Sequence, residues 1–133
     1  MSQETIDGLR ADLDVFNSTG EINTDRLASD FEMQQASSIV DTAGTFVGQE
    51  GMRDSLRELH ESFEDLSFEG EKFIEAPGGE IVVFIRVRGR GRGSGIEMDN
   101  RIAWVWTFRE DQAARLVVYE ERTDALEAAG LSE

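Results

Sequence analysis

The chain carries one histidine and no cysteine among its 133 residues, so groups able to do chemistry at neutral pH are few. His60 is the first candidate, because imidazole titrates near neutrality and could act as a pocket acid or base. It sits between Leu56 and Phe63, at the edge of an apolar helical stripe, where a rim position on a surface helix is the better account. Asp12 lies beside Leu9, Leu13 and Phe16 and could reach a pocket as a hydrogen-bond acceptor, or belong to a solvated helix face. Without cysteine there are no disulfides, thiolate nucleophiles or cysteine-ligated metals, and one histidine excludes a multi-histidine site. No metal and no cofactor is therefore expected.

The largest concentration of recognition-capable side chains is apolar. From Gly95 to Phe108 the chain alternates strictly enough to read as a strand. Ile96, Met98, Ile102, Trp104, Trp106 and Phe108 share one face. Trp104, Trp106, Met98, Met33, Phe46 and Phe16 could line a ligand cavity, aromatic and methionine side chains being adaptable walls. Simple core packing would bury the same residues. The run from Arg86 to Gly93 (RVRGRGRG) resembles an RGG-type nucleic-acid segment. It lacks interleaved aromatics, and the chain's formal net charge of -15 opposes phosphate backbones and anionic membranes. A hairpin tip with solubilising arginines is the better account, and neither nucleic acid nor membrane is an expected partner.

Around these residues the elements follow from periodicity. Thr5 to Phe16 reads as a helix, stopped by Asn17-Ser18-Thr19-Gly20. A short second helix is predicted from Thr24, carrying Leu27, then a short strand at Asp30–Gln34 and a loop to Gly44. A third helix is predicted over about Gln49–Glu64, striped by Met52, Leu56, Leu59 and Phe63. Strands follow at Leu66–Glu75, Glu80–Arg88, the Gly95–Phe108 segment and Arg115–Arg122, with turns at Pro77-Gly78-Gly79 and Glu110-Asp111-Gln112. Thr123 could cap a last short helix ending at Gly130. Helices followed by antiparallel strands make an α+β fold. The length fits one domain, residues 1–133, with no linker rich in Pro, Ser or Gly. No signal peptide or membrane span is evident, and a cytoplasmic location is the expectation.

In this order and spacing the chain resembles the nuclear transport factor 2-like superfamily, also called SnoaL-like or ketosteroid-isomerase-like. The residues carrying the resemblance are Phe16 to Glu21, Leu27 to Glu32, Phe46 to Gly51, Trp104 to Phe108, and the tail from Tyr119 to Leu126, which is similar to that of many bacterial members. The resemblance implies a cone: a curved mixed or antiparallel sheet wrapped around three N-terminal helices, enclosing an apolar pocket. It also implies a homodimer through the sheet's outer face, here with Ala103, Val105, Ile81, Val83 and Ile85 available. It adds Tyr119 to the pocket set.

The isomerases' catalytic residues do not carry over. Their base falls near Gln35, their oxyanion acid near Trp104 and their first-helix tyrosine near Asp12. From the family's epoxide hydrolases, Arg86 matches the arginine and Glu121 the last acid, while the middle aspartate falls at Arg88. A carboxylate–guanidinium pair at the mouth of an apolar cone could activate water or orient a polar ligand, or be a structural ion pair. The expectation is thus a small-molecule-binding domain for an apolar or amphipathic ligand. The alternatives are a hydrolase, dehydratase or isomerase-type enzyme using Glu121 with Arg86, and a non-catalytic dimerisation module.

Overall fold

The structure, a computed structural model, describes residues 2–22, 25–36 and 45–131. Helix α1 spans Ser2–Thr19 and runs past the predicted stop. The hydroxyls of Ser18 and Thr19 donate back to the carbonyls of Asp14 and Val15, each at 2.8 Å, so two presumed breakers are absorbed into the helix. Asn17 is used to dock it: its Nδ2 donates to the Phe68 carbonyl at 2.8 Å and its Oδ1 accepts from the Phe68 N–H at 2.9 Å. Gly20 ends the helix at φ 77°, its N–H donating to the Phe16 carbonyl.

The short helix predicted to carry Leu27 is not there. Leu27 opens strand β1 (Leu27–Ala36), which takes in the first residues of the expected loop. Pairing and burial decide this: Leu27 pairs with Ala113, and Leu27, Phe31 and Met33 are buried. The proposed cap, Thr24, and residues 37–44 lie outside the described residues. Then come β2 (Thr45–Val47), helix α2 (Gly48–Ser62), β3 (Phe63–Glu75), β4 (Ile81–Gly91), β5 (Glu97–Arg109), β6 (Gln112–Tyr119) and helix α3 (Arg122–Ala128). Helix α3 begins after Glu121, one residue ahead of Thr123, and no side chain caps it.

The strands form one curved, open sheet in the order β2-β1-β6-β5-β4-β3. β1 and β6 run parallel and every other pair antiparallel. Register shifts in β1, β3 and at Thr107/Phe108 break the regular ladder, the kind of irregularity that bends a strand.

The two sheet faces are both apolar but are covered differently. On the concave face Phe31, Ile81, Val83, Ile85 and Trp106 pack with Leu9 and Phe16 of α1 and Met52 of α2. On the convex face Val82, Ala103 and Val105 pack with Ala125, Leu126 and Ala129 of α3 and its end. So two helices lie inside the cone and the third lies outside it, at the C-terminal end. The outer strip expected for dimerisation is divided accordingly. Val83 is paired with Trp104 and therefore shares its face, which turns Ile81, Val83 and Ile85 inward. Ala103 and Val105 do face outward, beneath α3. Among the described residues no helix is long and apolar enough to cross a membrane.

Candidate functional site

Between the concave face and the two inner helices lies a cavity of about 390 Å³. β5 supplies its longest wall, with Met98, Ile102, Trp104, Trp106 and Phe108 all turned inward, the face predicted from alternation. Ile96 precedes the strand and is 71% exposed. Within the aromatic wall Trp104 and Trp106 meet edge to face, with ring centroids 6.1 Å apart at an interplanar angle of 84°, and Phe68 lies tilted 5.5 Å from Trp104. Opposite, α1 contributes Leu9, Leu13 and Phe16, and α2 contributes Met52, Leu56 and Leu59. Their helical spacing places each set on one stripe.

Of the residues singled out from the sequence, the structure brings Phe16, Met33, Met98, Trp104, Trp106 and Asp12 to this cavity. The rest are placed elsewhere. Phe46 is half-buried against the same core but behind the lining, its backbone and Cβ packed on Gly51. Tyr119 joins the convex cluster, because Val118 takes the inward parity beside it. His60 sits against the end of α1: its Nε2 is 3.1 Å from the Gly20 carbonyl and its ring stacks on Phe16 at 5.8 Å. That is a helix-end contact, in a helix with no basic residue in its own last turn. Gln35 lies on β1, paired with Val118; its side chain is outside the described residues.

Arg86 and Glu121 do not meet at the cone's mouth. Arg86 lies on the convex face, where its Nε and Nη2 donate to the two carboxylate oxygens of Asp99 at 2.8 and 2.6 Å. This fork holds Asp99 below the ordinary carboxylate range, first through the hydrogen bonds and then through the nearby positive charges, and raises Arg86 above its usual value. Glu121 is exposed at the start of α3. Two other hairpin arginines also pair within the sheet region, Arg88 with Glu69 at 3.8 Å and Arg92 with Glu64 at 3.9 Å, while Arg101 and Arg122 share Glu71. The convex surface beyond α3 is thus a lattice of alternating charges.

Several polar lining residues gave no sequence signal. Ser55 is buried on α2, its hydroxyl 3.7 Å from the Met33 sulfur. Asn100 lies on the cavity near one end of β5. Arg26 lies near the other end, its carbonyl accepting from the Ala113 N–H, and its guanidinium occupies the space a side chain at Gly8 would fill. A glycine in mid-helix was the available sign: it costs helix stability and marks a close approach. Finally, Trp106 Nε1 is buried with no acceptor among the described residues. The described residues hold no cluster of His, Asp and Glu arranged for a metal.

A cavity walled by aromatics under a bent sheet can be set beside known proteins. The family profile of the SnoaL-like domain matches residues 23–116. No curated protein matches the chain. Among solved structures, the chain is similar to TerC co-crystallised with polyporic acid, with a TM-score of 0.71, 19% identity, and 94% of this chain and 96% of that one covered. It is similar to a nuclear transport factor 2-like protein from Anabaena variabilis, with a TM-score of 0.69, 19% identity, and coverage of 90% and 89%. It is also similar to a protein of ketosteroid isomerase-like fold from Catenulispora acidiphila in complex with trimethylamine, with a TM-score of 0.63, 16% identity, and coverage of 80% and 78%. With the profile spanning well over half of its length, the chain belongs to the SnoaL-like domain family, and it shares the fold of the solved structures named above.

Proposed function

We propose that this protein binds a small amphipathic molecule, largely apolar, in the cavity beneath the concave face. The observation that carries the reading is the cavity itself: about 390 Å³, inside the roughly 300–1,000 Å³ usual for small-molecule sites, and walled by aromatic, methionine and aliphatic side chains. A gap of this size deprives its lining of dispersion partners, which an apolar occupant restores. The unpartnered indole N–H of Trp106 supports an occupant with at least one oxygen acceptor, since a buried donor left unanswered costs about 1–3 kcal/mol. TerC, crystallised with polyporic acid, is a fold relative seen with an organic molecule.

The test is a panel of sterols, polyketides and terpenoids read by tryptophan fluorescence and thermal shift. Because both tryptophans stand on the cavity wall, an occupant should change the emission and raise the melting temperature together. A Val83→Phe variant, which projects a larger ring into the cavity, should lose both responses while remaining folded. A panel that moves neither signal, with a ligand-free crystal structure showing the cavity filled by side chains, would reject the reading.

A further inference from the structure

We infer that the occupant is an organic carboxylate, held by Arg26 at the mouth of the cavity with its apolar body directed along Trp104 and Trp106. This deepens the binding proposal above and rests on it. Arg26 lines the cavity and is at the same time exposed, so it stands where the cavity meets solvent. Among the described residues it takes part in no ion pair, although seven other pairs are formed. Most arginines of the chain are matched with an acid; this one is not, despite 28 acidic residues in the sequence.

The position of its guanidinium is built into α1. A Cβ added at Gly8 would overlap Arg26 Nη1 and stand 2.8 Å from Cζ. Only the absence of a side chain at residue 8 lets the planar group lie against the helix. Asp12, the carboxylate on the same wall, is not within ion-pair distance of Arg26. A guanidinium presents a fork of N–H donors that matches a carboxylate's two oxygens. Behind it the wall turns apolar at Leu27, Phe108 and Trp106. A head group with one negative charge and a flat or aliphatic body fits that gradient. Long-range attraction cannot supply the preference, because the chain's net charge of -15 repels anions.

The experiment compares naphthylacetate, naphthylacetamide and naphthylethylamine, which share one apolar body, by isothermal titration calorimetry. Wild-type protein should bind naphthylacetate at least about tenfold more tightly than naphthylacetamide, the scale of a charge-assisted contact. Arg26→Gln should erase that difference, with an unchanged thermal unfolding midpoint showing that the variant is folded. Gly8→Ala should do the same by displacing the guanidinium, while gaining helix propensity. Equal wild-type affinities for the acid and the amide, or a preference that survives Arg26→Gln, overturns the carboxylate assignment and leaves the cavity reading standing. Tightest binding of the amine also overturns it and transfers the head-group role to Asp12. Binding of none of the three, together with a silent ligand panel, overturns both.

Discussion

At Arg86 a two-pronged contact to Asp99 replaces the role that the sequence suggested. Both side chains remain partly exposed, at 29% and 45%, so the pair adds little to stability and is better read as one link in the convex charge lattice. Its signature is in titration. Asp99 is depressed because the Arg86 fork stabilises its charged form. The contribution is present above the unfolded-state carboxylate value and is lost as pH falls through the lower, folded value. In an Arg86→Gln variant the Asp99 midpoint, followed by carboxyl NMR shifts, should rise toward the ordinary range. Ligand binding in the cavity should not change, because Arg86 is on the other face of the sheet. A loss of binding would return Arg86 to the site. The residue scale is also where the sequence was least legible. Arg86 and Arg26 are the same residue type. What separates them is strand parity in one case and a glycine eighteen residues away in the other, and neither is a local property.

Elements were read more reliably than residues, and the misses have physical causes. β5, α2 and the β3–β4–β5 meander follow from period and turn chemistry, which act within a few residues. The supposed helix near Leu27 failed because β1 is held by β6, a partner far along the chain that overrides a local cap signal. The turn joining β5 to β6 was predicted in place but not in kind. Glu110 and Asp111 have φ of 51° and 68°, both left-handed, in a two-residue loop between the paired residues Arg109 and Gln112. That is the mirror-image turn favoured between twisted strands, for which Asn-Gly is the preferred sequence. Glu is poorly suited to it. Replacing Glu110 by Asn and Asp111 by Gly should raise unfolding free energy by about 1 kcal/mol, seen as a higher urea midpoint with an unchanged slope. No gain, or a loss, would mean that the turn is held by something other than its backbone preference.

For the whole molecule, the aromatic face of one strand showed that an apolar interior had to cover it, while the cone was what the family resemblance implied. The placement of the last helix was not legible, since its short stripe of Ala125, Leu126 and Ala129 does not say which side of the sheet it will join. Its position outside means that the convex face is satisfied within one chain at Ala103 and Val105, and that any further contact on that face meets charges instead. The parallel pairing of β1 with β6 has a consequence for how the chain is made. Gln34 and Arg115, whose side chains bond at 2.6 Å, are 81 residues apart in sequence. Apart from the three-residue β2, β1 has no ladder until β6 exists. A ribosome therefore releases β1 long before its main partner, while β3, β4 and β5 can pair as each hairpin emerges. Closing so long a loop is slow. Pulse-labelled hydrogen exchange during refolding should find the amides of β4 and β5 protected before those of β1, and simultaneous protection would show that the strands assemble in one step. The first strand of this protein is then the last to arrive, and until it does the cavity has no floor at Leu27 and Met33.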